Sequence, residues 1–277
     1  MAFDYEAGRS TTAVLDVPSP VVIEREWIAV DGLVPLPMYV PPLSAVVADN
    51  GAAVAASVVL PAYNEEIGLA VLLPPLMELS RGRFEVVVVD DGSTDSTASL
   101  AESLGCRVIR HATNAGKGVA LRTGLGAACG DKVIIMDADD TYPVDAVVEL
   151  IDRLDECEMV VGVRTIGRKN IPFFNRLGNA MLTTAIRLAS GSRWTDPLTG
   201  FYGLRREALE RMDLRSDGFG VEAEIAMKSA RLGLRVVDHP IAYRARAGVS
   251  KLHPVRDGLR IAAVIATLGI RRLAQGA

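Results

Sequence analysis

The chain of 277 residues is long enough for one large domain or two small ones. Hydrophobic residues make up 49% and charged residues 23%, a globular composition that excludes a disordered or low-complexity protein. Thirty Lys+Arg stand against 34 Asp+Glu, a net charge of −4 that argues against general affinity for nucleic acid.

The chain opens on Met1-Ala2-Phe3-Asp4-Tyr5-Glu6, which is acidic and lacks the apolar stretch of a signal peptide. Cys106, Cys129 and Cys157 have neither disulfide nor zinc spacing, so they read as reduced thiols of a cytoplasmic protein. Residues 1–56 hold six of the 14 prolines: Pro18, Pro20, Pro35, Pro37, Pro41 and Pro42. Proline fixes φ and removes a ladder donor, so this stretch is expected to be an N-terminal extension, extended around 34–42.

From residue 57 the pattern becomes regular. Ser57–Leu60 reads as a buried strand, followed by a helix over Glu65–Leu79 that Pro74-Pro75 should interrupt. Glu85–Val89 is the next strand, then a helix over Thr94–Leu104 stopped by Gly105. Arg107–Ile109 and Val133–Met136 are strands followed by helices over Lys117–Ala128 and Pro143–Leu154, with Pro143 in a first turn. Met159–Val163 is the fifth strand. Such alternation predicts an α/β fold with a mostly parallel, doubly wound sheet, whose ligands bind at the carboxyl ends of the strands. A catalytic domain is expected over residues 57–250 and a basic amphipathic helix over residues 251–277. The longest apolar run, Ile261–Ile270, covers ten residues, against roughly 20 for a bilayer crossing.

The polar residues cluster where those strands end. Pro61-Ala62-Tyr63-Asn64-Glu65-Glu66 follows the first strand, Asp90-Asp91-Gly92-Ser93-Thr94-Asp95 the second, and Asp137-Ala138-Asp139-Asp140 the fourth. Three acidic loops on one sheet edge repel one another unless a cation compensates. Asp95 and Ser93 suit turns and caps. Asp137 and Asp139, two carboxylates at i and i+2 past a buried strand, suit Mg²⁺ or Mn²⁺, which take oxygen ligands and leave positions for phosphates. No Walker or Rossmann glycine pattern is present, since Lys117 precedes Gly118 and the Gly124–Gly130 spacing is wrong.

In this order, Val58–Glu66, Val88–Asp95, Asn114-Ala115-Gly116-Lys117-Gly118 and Asp137-Ala138-Asp139 resemble family-2 glycosyltransferases of the GT-A (nucleotide-diphospho-sugar transferase) fold. Arg176–Asn179, Thr195–Phe201, Gly220–Glu224 and Tyr243–Leu252 are similar to the polyprenyl-phosphate (dolichol-phosphate) hexosyltransferase branch, with Val249 where that branch usually has Glu. The resemblance implies that Pro61, Tyr63, Glu65 and Asp91 line the nucleotide base and ribose. It also implies that Asp137 and Asp139 hold a metal bridging the donor diphosphate. Lys117 is either a further charge on that diphosphate or a solvated helix-start lysine. The Asn114–Gly118 loop favours a UDP-sugar over a GDP-sugar.

Two segments are basic. Residues 159–195 contain Arg164, Arg168, Lys169, Arg176, Arg187 and Arg193 and no acid; residues 240–277 contain seven basic residues against Asp257 alone. An anionic acceptor is therefore expected, its phosphate held by Arg164, Arg246 and Lys251. The apolar helical stretches Ile171–Ala189 and Val255–Leu273 suit peripheral contact with the inner face of an anionic membrane, or packing on the sheet or on a second subunit. The expected reaction is an inverting, metal-dependent hexose transfer to polyprenyl phosphate, whose phosphate needs no strong base. A hydroxyl acceptor would require one, and Asp196, Glu222 and Glu224 are the candidates. The alternatives are a soluble transferase acting on a small phosphorylated or hydroxylated metabolite, a sugar-nucleotide pyrophosphorylase and a non-catalytic scaffold.

Overall fold

The computed structural model describes residues 54–275. Seven strands form one sheet: β1 (Ala56–Ala62), β2 (Phe84–Asp90), β3 (Arg107–Arg110), β4 (Lys132–Met136), β5 (Met159–Ile166), β6 (Phe201–Arg205) and β7 (Val236–Ala242). Their order is β3-β2-β1-β4-β6-β5-β7, with β1 parallel to both neighbours and β6 antiparallel to β4 and β5. The helices are α1 (Glu66–Ser80), α2 (Thr97–Ser103), α3 (Lys117–Ala127), α4 (Ala146–Arg153), α5 (Phe173–Ser190), α6 (Arg206–Met212), α7 (Val221–Arg231) and α8 (Pro254–Gln275).

Side chains alternate across a strand, so each central strand feeds two apolar layers. Val58 and Leu60 pack with Leu69, Leu72, Leu73 and Leu76 of α1, whereas Val59 joins Leu121 of α3 and Ile225 of α7. Ile134 and Met136 enter the first layer, Val133 and Ile135 the second. Burial on both faces is why these strands read as unbroken apolar runs. From β1 the sheet grows through β2 to β3 on one side and continues at β4 on the other. The crevice beyond β1 and β4 is therefore the topological switch point of the sheet.

The structure departs from expectation in several local places. Helix α1 runs through Pro74 and Pro75 without a break, because both prolines lie on the solvent face. The four buried leucines of α1, at roughly 1.5–3 kcal/mol each, match or exceed a penalty of about 3 kcal/mol for each of the two prolines. Helix α2 starts at Thr97, since the Asp95 carboxylate accepts from Thr97 N (2.9 Å) and so caps that turn. Helix α4 starts at Ala146, because a tighter turn, closed by Val147 N donating to Val144 O, follows Pro143. Gly105 takes the left-handed conformation expected just past α2. The C-terminal helix begins at Pro254 and packs on α5 and α7. Of the proline-rich extension expected over residues 1–56, all but the last three residues lie outside the described residues.

Candidate active site

The carboxyl-end crevice is a cavity of about 310 Å³. Pro61 lines it from the end of β1, Tyr63 and Glu65 from the loop that follows, Asp91 from the loop after β2, and Asp137 and Asp139 from the loop after β4. Asn114, Gly116 and Lys117 enter from the start of α3, and Phe219 from the turn before α7. The segment after β7 closes the rim with Arg246, Lys251 and Leu252, and the first turns of α8 add Arg256 and Arg260.

Each wall is held by named bonds. The buried Asp91 carboxylate accepts from Ala115 N (2.9 Å) and Gly116 N (2.8 Å), and His111 Nδ1 lies 2.7 Å from it. An ionised carboxylate only accepts, so His111 donates from Nδ1, and its Nε2 meets the Thr123 hydroxyl at 3.0 Å. The same loop rests on residues 216–217: Gly118 N donates to Asp217 O (2.8 Å), and a Cβ at Gly118 would meet Ser216 O at 1.9 Å. Only glycine fits there.

The metal-candidate carboxylates sit opposite cations. Lys117 Nζ lies 2.6 Å from Asp137 Oδ1 and also reaches Glu222. Burial works against the Lys117 charge, but Asp137 and Glu222 outweigh it and hold its pKa above the ordinary value. Lys117 is thus an interior ion-paired lysine and not a solvated one. Burial raises the Asp137 carboxyl to about 6; Lys117 opposes the rise, and Asp139 and Glu222 add to it. Asp139 is buried; its Oδ1 accepts from Thr141 Oγ1 (2.6 Å) and its Oδ2 from Arg246 Nη1 (2.6 Å). Arg246 also donates from Nη2 to Glu65, while Lys251 Nζ donates to Asn64 O (2.9 Å). Burial pushes the Glu65 carboxyl up to about 7 despite Arg246 and Lys251. Glu65 Oε2 and Arg246 Nε are buried without a partner.

These residues fit a divalent ion that completes its shell from a substrate. Among the described residues, no group of three or more His, Cys, Asp or Glu could hold a metal unaided. Asp137 and Asp139 supply two hard oxygen donors facing one cavity, and Mg²⁺ or Mn²⁺ draws the rest of its ligands from phosphate and water. Behind Asp137 the backbone is shaped to admit the carboxylate: Gly200 has φ +78°, and a Cβ there would lie 2.5 Å from Asp137 Oδ2.

Four expected site residues lie elsewhere. Arg164 does not join Arg246 and Lys251. It is buried at the end of β5, gripping Asp196 with Nε (2.7 Å) and Nη2 (2.6 Å) and donating to Leu198 O. Asp196 is saturated by that fork and is not in the cavity wall. Glu224 accepts from Ser216 N (2.7 Å), Arg215 N and Lys228, and these bonds overcome burial to hold its carboxyl below the usual range. Glu222 stands behind Lys117. Conversely, the sequence reading gave no role to His111 or Phe219, and it counted Arg256 and Arg260 only within the basic segment 240–277 without placing them at the site. The one available signal was the spacing of Arg256 and Arg260, which places both on one helix face.

Residues 57–213 match the family model described as glycosyl transferase family 2. The chain is 35% identical to a dolichyl-phosphate hexose transferase of Haloferax volcanii over 74% of this chain and 90% of that one. It is 29% identical to a polyprenol monophosphomannose synthase of Mycolicibacterium smegmatis, over 70% and 80% respectively. Its fold is similar to glucosyl-3-phosphoglycerate synthase from Mycobacterium tuberculosis in complex with Mn²⁺, UDP-glucose and phosphoglyceric acid. The TM-score is 0.64 and the identity 28%, covering 78% of this chain and 79% of that one.

Proposed function

The chain belongs to glycosyl transferase family 2 and is a hexosyltransferase of the GT-A fold, and we propose that it moves a hexose from a UDP-sugar to polyprenyl phosphate with inversion. The observation that carries this reading is the charge layout of the cavity. Asp137 and Asp139 line it from the loop after β4, Arg246 pairs with Asp139, and Lys251, Arg256 and Arg260 extend the positive charge along the same cavity. A metal-bound diphosphate suits the first region and a phosphate monoester the second. The names of the relatives support a polyprenyl acceptor, and the UDP-glucose complex of the structural neighbour supports the UDP-sugar.

The chain's own residues then take distinct parts. Tyr63, Glu65 and Asp91 form the wall for the base and ribose, with Asp91 fixing the 115–116 backbone. Asp137 and Asp139 hold the divalent ion, which when bound neutralises charge developing on the leaving diphosphate. Lys117 keeps the Asp137 carboxylate in place and adds positive charge beside it. Arg246 and Lys251 orient the acceptor phosphate, which is already anionic and attacks without a base. Asp196 and Glu224 then serve the architecture and not proton transfer, since neither lines the cavity.

A second reading has one observation in its favour. The structural neighbour was solved with phosphoglyceric acid, a small phosphorylated acceptor. Incubating the protein and Mn²⁺ with labelled UDP-glucose and either short-chain polyprenyl phosphate or 3-phosphoglycerate separates the two. Transfer to the lipid alone supports the proposal; transfer to 3-phosphoglycerate alone replaces it with the soluble-metabolite reading.

A further inference from the structure

The Asp91 carboxylate is fixed before any ligand arrives. Its backbone N–H donates to Ala62 O (2.8 Å), which ties the residue to the end of β1. Gly92, at φ +74°, lies so near the following loop that a Cβ there would meet Thr113 C at 2.6 Å. The carboxylate accepts from His111 Nδ1 and Ala115 N on Oδ1, and from Gly116 N on Oδ2. An ionised carboxylate offers about four lone-pair sites, two on each oxygen. Oδ1 is therefore filled. One site on Oδ2 is left for a ligand in the cavity that Asp91 lines.

His111 is the one side chain among these three donors. It follows β3 directly, and its N–H donates to Asp90 O (2.8 Å), which carries the β2–β3 ladder one step further. Its imidazole spans from Asp91 at 2.7 Å to the Thr123 hydroxyl of α3 at 3.0 Å, so the ring is held at both nitrogens. It is partly buried and is not part of the cavity wall, so it reaches a ligand only through Asp91. The two backbone donors come with the fold of the loop. The imidazole can be changed alone.

We propose that His111 is a positioning residue that sets base selectivity: by filling Oδ1 of Asp91, it leaves the donor base a single acceptor. Uracil presents one ring N–H between two carbonyls, and one acceptor satisfies it. A second bare carboxylate oxygen would only face those carbonyls. Guanine presents a ring N–H and an amino N–H side by side, which match both oxygens of a carboxylate as the arginine fork does. With Oδ1 filled, guanine can pair one of the two, and the other is buried without a partner. The inference rests on the UDP-sugar reading of the donor, with Asp91 facing the base.

The test is calorimetric titration of the full chain with UDP and with GDP in the presence of Mn²⁺, reading the ratio of the two Kd values. The wild type should favour UDP at least about tenfold, the least that one charge-assisted hydrogen bond is worth. His111→Phe keeps a ring in place and removes the donor to Asp91; the ratio should shrink at least about threefold, chiefly through tighter GDP binding. His111→Asn sets an amide N–H where Nδ1 stood and should restore most of the ratio. Thr123→Val removes the hydroxyl that orients the imidazole and should shrink the ratio by a smaller factor, which decides the matter if circular dichroism shows His111→Phe unfolded. A purely structural His111 would weaken both nucleotides alike. That result, or a ratio unchanged in folded His111→Phe and in Thr123→Val, overturns the proposal and leaves the UDP-sugar reading standing. Wild-type protein that binds GDP as tightly as UDP removes that reading, and the proposal with it.

Discussion

Replacing Gly200 by alanine should damage chemistry far more than stability. Gly200 lies in the loop before β6 at φ +78°, and its missing side chain leaves room for the Asp137 carboxylate. An added Cβ would stand 2.5 Å from Oδ2, whereas ordinary contact begins near 3.4 Å, so the carboxylate must retreat by about 0.9 Å. That motion also pulls Oδ1 from the 2.6 Å contact with Lys117. A displacement on the order of 1 Å in a positioned catalytic group lowers kcat roughly 100-fold. The backbone cost of an alanine at positive φ is roughly 1–2 kcal/mol, equivalent to a Tm fall of about 2–8 °C for a domain of this size. Gly82→Ala is the matched control, since Gly82 has φ +71° and nothing within 4 Å of a new Cβ. Sugar transfer at saturating donor, beside melting curves, should show similar Tm losses in both variants and a large kcat loss only in Gly200→Ala. If Gly200→Ala keeps its kcat within twofold of Gly82→Ala, the carboxylate does not depend on that space and the reasoning fails.

Asp139→Asn should remove more than 99% of turnover, because a neutral amide still accepts from Thr141 but no longer suits a divalent ion, and the lost ion pair with Arg246 should lower Tm as well; activity unaffected by EDTA would count against the metal. Arg164→Ala should cost about 3–5 kcal/mol by stranding the buried Asp196 charge, seen as a Tm drop of roughly 10 °C, and an acceptor KM change in a fully stable variant would contradict this. Glu65, raised to about 7 in the folded chain, binds a proton there that the unfolded chain releases near 4.5. Its contribution to stability is therefore present below about pH 4.5 and lost as pH rises through 7. Glu65→Gln should flatten the corresponding decline in Tm and gain up to about 3 kcal/mol at pH 8; parallel Tm–pH curves would refute that.

What could be read from the residues depended on how local the cause was. β1 to β5 are each within three residues of their expected limits, because burial on both faces leaves an apolar run that needs no distant partner to be recognised. β6 and β7 escaped notice: Phe201–Arg205 is five residues long, and Val236–Ala242 carries Asp238, His239 and Pro240. Only sheet neighbours make them strands. The acidic loops were legible for the same reason as the early strands, since each follows a strand end directly. The fate of Arg164 was not, as its partner is 32 residues away. Yet a hint was present. An arginine ending the buried run Met159–Val163 must find an acid or leave the core, and that requirement argues for a structural ion pair over a phosphate contact.

The acidic loops were expected to need a compensating cation, and the chain supplies several of its own. Lys117 stands against Asp137 and Glu222, Arg246 bridges Glu65 and Asp139, and Arg244 lies 3.4 Å from Asp140. A site balanced in this way can stay folded before any ligand arrives, which loose carboxylates at this density would oppose. The balance is incomplete at two buried atoms, Glu65 Oε2 and Arg246 Nε. Both belong to the same ion pair, on the side where the 244–252 segment crosses the cavity. A ribose hydroxyl can donate to the first, and a phosphate oxygen can accept from the second. Each unsatisfied buried group costs about 1–3 kcal/mol, so ligands that satisfy both recover free energy already spent in the fold. On the proposed roles of Glu65 and Arg246, donor and acceptor would meet at one Arg–Glu contact, coupling the binding of one to the placement of the other.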